Sequence, residues 1–122
     1  MPATDKYGGP RLPIFIYGTL LKPRVLARYS GDALLHRRGI PALAPGYQRV
    51  ALRGTPYPTL RRGPGEVRGL LIRPTPRALG RLADYEGRFY RLMPLRVVTP
   101  RGPRHARAWL ADAWRADQRH WA

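Results

Sequence analysis

Ile14-Phe15-Ile16-Tyr17-Gly18-Thr19-Leu20 is the segment that says most about the fold of this chain. Its first four residues are β-branched or aromatic without alternation, which predicts a short strand buried on both faces. Gly18 ends that strand, and the turn that follows can expose backbone N–H groups to an anion. Pro23 suits the first turn of a helix, which Gly31 stops. The sequence therefore predicts a strand, a tight turn and a short helix.

Proline and glycine interrupt the next part of the chain often. Residues 34–60 are expected to form bent or edge strands rather than a helix. Gly63-Pro64-Gly65 is expected to form a turn before a strand from Glu66 to Ile72. Within that strand, Gly69 indicates a bulge or a close approach of backbone. Two more strands are predicted at 90–99 and 105–114.

A second helix is predicted between these strands, with Thr75 as its N-cap and Pro76 as its first residue. Gly87 is expected to end it in the αL conformation. Glu86 then lies at the helix C-terminus, where the helix dipole disfavours a carboxylate. Because Glu86 is one of two glutamates in a chain with 23 lysines and arginines, we expect an interaction other than helix stabilisation to hold it there.

Length and composition favour a single compact α+β domain. The chain has 122 residues, of which 43% are hydrophobic. We expect a flexible N-terminal arm at 1–12, one domain at 13–114 and a C-terminal tail at 115–122. No apolar stretch approaches the roughly 20 residues of a membrane span, and the first residues lack the apolar block of a secretory signal. These features predict a soluble cytoplasmic protein with no membrane partner.

Three features of the composition limit the kinds of site and partner that the chain can have. The chain has no cysteine, which excludes disulfides, thiolate zinc sites and thiol nucleophiles. Its three histidines lack helical i, i+4 spacing, so no metal site is predicted. The net charge of +16 first suggests nucleic acid, but the arginines are scattered and suit a GC-biased coding sequence. Non-specific attraction to nucleic acid at low salt is the expected consequence.

Several short segments follow one another along the chain: Tyr17-Gly18-Thr19-Leu20, Pro45-Gly46-Tyr47, Tyr57-Pro58, Val67-Arg68-Gly69-Leu70-Leu71, and Leu82 through Gly87 followed by Tyr90 and Arg91. In this order they resemble the gamma-glutamylcyclotransferase-like superfamily, in particular its small avirulence-induced-gene-like branch. The resemblance runs from about Ile14 to Trp109. It implies a small mixed β-barrel of about five to seven strands flanked by two short helices, with a cavity at one end.

The resemblance also implies an acyltransferase-type reaction without metal or organic cofactor. A γ-glutamyl amine or peptide cyclises when its α-amine attacks its own γ-carbonyl, which releases 5-oxoproline and the amine. Glu86 corresponds to the family's catalytic glutamate. The substrate's α-carboxylate would lie on the turn formed by Tyr17, Gly18, Thr19 and Leu20. Tyr90 follows the glutamate loop and is the best candidate among the tyrosines for a substrate hydrogen bond, whereas Tyr57 and Tyr85 are expected to be core or rim aromatics.

The acid/base role requires the pKa of Glu86 to be raised. An α-amino group has a pKa of about 7.7–8.0 and an ordinary glutamate about 4.3, so proton transfer between them is uphill by about 5 kcal/mol. Burial and the helix C-terminus would raise the pKa of Glu86, whereas Arg88 or Arg91, if close, would lower it. We predict that desolvation dominates.

Two departures from the family pattern bear on the substrate. The chain has Ala83 where the family often has Asp, and Asp84 lies one position later, which we expect to change local packing or the shell around the site. It has Trp109 where a Tyr is common, which could remove a hydroxyl from the pocket. Two alternatives to catalysis therefore stay open: binding of a small anionic metabolite in the same pocket, and nucleic-acid binding through the arginine surface.

Overall fold

The computed structural model describes residues 12–121, so nearly all of the expected N-terminal arm lies outside the described residues. Single 3-10 turns lie at Thr19–Leu21 and Ala113–Arg115. The helices and strands of the described part are, in order, β1 (Ile14–Ile16), α1 (Pro23–Ser30), β2 (Ile40–Leu52), β3 (Pro58–Ile72), α2 (Pro76–Glu86), β4 (Tyr90–Thr99), β5 (Gly102–Ala111) and β6 (Ala116–His120).

Five of the strands close into a barrel. They run in the order β3-β1-β5-β4-β2, and β2 pairs again with β3. The neighbours β1 and β5 are parallel, and the other neighbours are antiparallel. Closure leaves no open edge in this part of the sheet. The predicted α+β fold, a small mixed barrel with two short helices, is confirmed.

β6 lies in the segment expected to be a C-terminal tail and extends the sheet beside β2. It pairs antiparallel with the end of that strand, with Val50 opposite His120 and Leu52 opposite Ala116. The earlier part of β2 pairs with β4, where Leu43 lies opposite Val98. β2 has 13 residues, so it is long enough to pair with β4 along its first part and with β6 near its end.

The prediction of a turn at Gly63-Pro64-Gly65 is wrong, because β3 runs through these residues without a break. The pairing with β2 instead shifts register between Pro45 and Tyr47, as in a bulge. Gly46 and Gly65 take positive φ values of 81° and 99° beside this shift. The proline and glycine residues, which locally suggest the end of a strand, thus form a bend within two long strands that continue past it.

The barrel interior and the helix-covered outer surface form separate cores on either side of β1. Phe15 packs inside the barrel with alternate residues of its strands, such as Ala44, Val97 and Ala106. Ile14 and Ile16 pack outward with the helix residues Leu26 and Leu82. β1 is therefore buried on both faces, as the sequence predicts. On the neighbouring antiparallel strand β3, a Cβ added at Gly69 would lie 2.3 Å from the Ile16 carbonyl oxygen, which confirms the expected close backbone approach.

Candidate active site

A cavity of about 130 Å³ opens at the end of the barrel where β1 passes into the Thr19–Leu21 turn. It is smaller than the roughly 300–1,000 Å³ of sites that enclose drug-sized ligands. All six residues singled out from the sequence line it. The lining consists of Phe15, Ile16, Tyr17, Gly18, Thr19, Leu20, Tyr57, Pro58, Tyr85, Glu86, Tyr90 and Trp109.

Glu86 is the last residue of α2, and its carboxyl group is partly buried in this cavity. Burial raises the pKa of Glu86 to about 7. Within residues 12–121, no basic side chain forms an ion pair with it. Arg91 pairs instead with Asp112 at 2.7 Å, and the guanidinium of Arg88 lies 5.3 Å from the centroid of the Phe89 ring. Desolvation therefore dominates, as predicted from the sequence.

Gly87 ends α2, but not in the expected αL conformation. Its φ of 77° is positive, whereas its ψ of −172° is extended. The N–H of Gly87 still donates to the Ala83 carbonyl at 3.1 Å and closes the last turn. The extended ψ turns the chain sharply away from the helix axis toward β4. This exit leads from Glu86 to Tyr90, the two residues that line one wall of the cavity.

The turn after β1 presents backbone to the opposite wall. The N–H of Leu21 donates to the Gly18 carbonyl at 3.0 Å, which is the first hydrogen bond of the 3-10 turn. The N–H groups of residues 18–20 precede that bond and have no acceptor within the turn itself. A side chain at Gly18 would place its Cβ 2.7 Å from Cγ of Pro58, which also lines the cavity. The close approach of these two walls requires a residue without a side chain.

Tyr85 contributes more to the site than the sequence indicates. Its hydroxyl lies 2.8 Å from the Thr19 hydroxyl, across 66 residues of sequence. Its ring stacks on Tyr29 of α1, with centroids 4.2 Å apart and an interplanar angle of 9°. The stack holds the Tyr85 side chain, which in turn fixes the Thr19 hydroxyl at the cavity wall. No local pattern in the sequence signals this contact.

Tyr17 and Tyr90 each donate the hydroxyl proton to a backbone carbonyl, Tyr17 to that of Trp109 and Tyr90 to that of Pro58 at 2.7 Å. Burial, and secondarily the nearby Glu86 carboxylate, raises the pKa of Tyr90 above its ordinary value. Burial likewise raises the pKa of Tyr17 well above its ordinary value. Both phenols therefore remain protonated near neutral pH. The oxygen of Tyr90 can still accept a hydrogen bond from a substrate N–H.

The two departures from the family pattern lie in different places. The Trp109 side chain is buried, lines the cavity, and brings no hydroxyl to it. Ala83 and Asp84 are exposed on α2 and do not line the cavity. The change at Trp109 thus alters the pocket wall directly, whereas the change at Ala83 lies on the outer face of the helix.

In the described part of the chain, no helix has the length and apolar character needed to cross a membrane. Across residues 12–121, histidine, aspartate and glutamate side chains do not gather in threes as a metal site would require.

A family model described as gamma-glutamyl cyclotransferase, AIG2-like, matches residues 14–121. Two solution structures of Arabidopsis thaliana proteins are each 26% identical to the chain, with TM-scores of 0.68. The alignments cover 88% and 100% of this chain, and 72% of each plant protein. A solved gamma-glutamyl cyclotransferase shares the fold at 17% identity and a TM-score of 0.65, over 87% of this chain and 68% of that one. A search of curated proteins found no significant match.

Proposed function

Because the chain belongs to the gamma-glutamyl cyclotransferase, AIG2-like family, we propose that it cyclises a γ-glutamyl amine or peptide to 5-oxoproline and releases the amine. One observation carries the proposal. The carboxyl group of Glu86, with a pKa of about 7 and no ion-pair partner among residues 12–121, shares a small cavity with the backbone turn of residues 17–20. A proton acceptor and an anion-binding turn are the two groups that this reaction needs from the protein.

The substrate's α-carboxylate would bind at the turn after β1. The N–H groups of residues 18–20 can donate to it together, and the absence of a side chain at Gly18 lets the ligand approach the backbone. The Thr19 hydroxyl, held by Tyr85, adds a further donor. This placement would direct the α-ammonium group and the γ-carbonyl of a glutamyl moiety toward Glu86 across the cavity.

Glu86 would transfer protons in both directions. As a carboxylate it removes a proton from the α-ammonium group, and as a carboxylic acid it returns a proton to the departing nitrogen. A pKa of about 7 reduces the cost of the first transfer from about 5 to about 1 kcal/mol. Because the amine and the carbonyl belong to one molecule, folding the substrate together supplies the proximity.

The reaction balances without water or a second substrate. The α-nitrogen forms a bond to the γ-carbonyl carbon, and the bond from that carbon to the leaving nitrogen breaks. Of the three protons on the α-ammonium group, one stays on the lactam nitrogen of 5-oxoproline. The other two end on the released ammonium ion, carried in turn by Glu86.

The test is release of 5-oxoproline from a panel of γ-glutamyl amines and peptides. We expect release by the wild type and by Glu66→Gln, which changes the other glutamate, an exposed residue. Glu86→Gln keeps the shape of the side chain and removes the base, so release is expected to fail. No release by the wild type across the panel, or undiminished release by Glu86→Gln, rejects the proposal. Thermal stabilisation by a γ-glutamyl compound that stays intact would assign binding instead of turnover.

A further inference from the structure

Close in the chain to residues that line the cavity, an arginine contacts two aromatic rings in an arrangement that the proposed reaction does not use. The guanidinium carbon of Arg115 lies 4.3 Å from the ring centroid of Phe89 and 4.1 Å from that of Trp114. We call these three residues the rim stack. The Trp114 side chain is 64% exposed. No carboxylate among the residues from 12 to 121 pairs with Arg115.

The backbone joins the rim stack to residues that line the cavity. Phe89 directly precedes Tyr90, which lines the cavity and starts β4. The carbonyl of Arg115 accepts the N–H of Arg53 at 2.7 Å. Arg53 begins the short connection that leads to Tyr57, another lining residue, which is 49% exposed. The rim stack therefore shares its backbone supports with two walls of the cavity.

The cavity is large enough for only one part of a γ-glutamyl amide. A space of about 130 Å³ suits the glutamyl group, so the rest of a γ-glutamyl amide has to extend past the mouth. The exposed Trp114 ring offers a face on which a planar group can stack. The Arg115 cation contacts both rings and has no anionic partner among residues 12–121, so it can offer charge-assisted hydrogen bonds to a carboxylate.

We propose that the rim stack binds the leaving amine, and that the preferred amine carries both an aromatic ring and a carboxylate, as an aromatic amino acid does. The ring stacks on Trp114 and the carboxylate pairs with Arg115. This inference rests on the proposed function, because it assigns the leaving group of the same reaction.

Four substrates separate the ring from the carboxylate: γ-glutamylphenylalanine has both, γ-glutamylphenethylamine only the ring, γ-glutamylalanine only the carboxylate and γ-glutamylethylamine neither. We expect kcat/KM for the wild type to be highest with γ-glutamylphenylalanine. Trp114→Ala should lower the ratio of kcat/KM between ring-bearing and ring-free substrates by about fivefold to tenfold, the effect of one aromatic pair. Trp114→Phe keeps a ring and should preserve most of that ratio.

Arg115→Gln should lower the ratio between substrates with and without the carboxylate, by about tenfold. Arg96→Gln is the matched control, because Arg96 is exposed on β4 and lies outside both the cavity lining and the rim stack. It should leave both ratios unchanged. Circular dichroism of each variant verifies that the fold is retained.

The outcomes distinguish the two proposals. If the wild type releases 5-oxoproline from other compounds of the panel but from none of these four, the reaction stands and this inference fails; no release from any γ-glutamyl compound rejects both. If it turns over all four with ratios near one, the reaction stands and the rim stack is not a specificity site. Ratios that exceed one in the wild type but are unchanged in Trp114→Ala and Arg115→Gln also overturn the assignment to these residues.

Discussion

A carboxylate lies near the C-terminal end of each α-helix, Asp32 just after α1 and Glu86 at the end of α2, and the two have opposite surroundings. Asp32 accepts a hydrogen bond from the N–H of Leu34 at 3.0 Å and pairs with the guanidinium of Arg38. The Leu34 N–H, helped by Arg38, lowers the pKa of Asp32. Glu86 has no ion-pair partner among residues 12–121, and burial raises its pKa to about 7.

In this protein the surroundings of a carboxylate, rather than its position on a helix, determine the direction in which its pKa is shifted. The hydrogen bonds of the Asp32 carboxylate favour its charged form and hold together the residues that follow α1. The charged form of Glu86 is disfavoured by its surroundings, so its proton can be exchanged near neutral pH. One carboxylate supports the fold, whereas the other, the acid/base of the proposed reaction, is buried at a cost in stability.

The largest expected difference between the two carboxylates is in activity. Glu86→Gln should lower kcat/KM for 5-oxoproline release by about 100- to 10,000-fold, the usual contribution of a general acid/base. Asp32→Asn, the matched change at the other helix end, should leave kcat/KM within about twofold. Steady-state kinetics on one γ-glutamyl substrate measures both. Comparable losses in the two variants would remove the distinction between the helix ends.

The second difference is in the pH dependence of stability. Because the pKa of Glu86 is raised on folding, its carboxyl group destabilises the folded protein progressively as pH rises from about 4.5 through 7. Glu86→Gln removes this cost, so it should raise the free energy of unfolding by about 3 kcal/mol at pH 8 and change it little at pH 4. Urea denaturation at the two pH values is the measurement.

Asp32→Asn should have the opposite sign in the same experiment. Because the pKa of Asp32 is lowered on folding, the carboxylate stabilises the folded protein above its unfolded-state pKa and loses this effect in acid. The variant should therefore be less stable than wild type at pH 8 and approach it as the pH falls. A gain in stability for Asp32→Asn at pH 8 would contradict this account of the first helix end.

A third difference concerns packing at the cavity and on the exposed helix. Gly18→Ala should destabilise the protein by about 1–3 kcal/mol, because the added Cβ would lie 2.7 Å from Cγ of Pro58. Gly80→Ala in α2 meets no atom within 4 Å and should stabilise by up to about 1 kcal/mol through helix propensity. Thermal denaturation of the pair gives both signs. Equal effects would show that the cavity wall is not tightly packed.

The smallest expected difference concerns hydroxyl groups. Tyr85→Phe removes the hydrogen bond to Thr19 and keeps the ring that stacks on Tyr29, so KM should rise by about fivefold, equivalent to about 1 kcal/mol. Ser30→Ala removes the hydroxyl that accepts the N–H of Asp32 at 3.0 Å and should affect stability without changing KM. A KM that is unchanged in Tyr85→Phe would exclude a positioning role for its hydroxyl.

The sequence predicts best those features that depend on neighbouring residues. The strand before Gly18, the helix that begins at Pro23 and the N-cap of α2 all follow local rules, and all three are present. Thr75 accepts the N–H of Ala78 at 3.2 Å, as an N-cap does. Closure of the barrel and the grouping of Glu86 with the turn after β1 came from the family resemblance, because they depend on distant segments.

The features that local patterns miss depend on contacts across the chain. Gly63-Pro64-Gly65 has the composition of a turn, but the bulge near Gly46 on the neighbouring strand lets the ladder continue past it. The contact between Thr19 and Tyr85 and the rim stack join residues that are far apart in sequence. Such pairs become visible only when the sheet brings its strands together.

The most direct test of the central claim is the pKa of the Glu86 side chain, measured by NMR on protein labelled with carbon-13 at the glutamate carboxyl carbon. The chain has two glutamates, so Glu66→Gln leaves one side-chain carboxyl signal and assigns it to Glu86. The account predicts a titration midpoint of about 7 in the substrate-free protein. A midpoint near 4.3, the ordinary glutamate value, would contradict it.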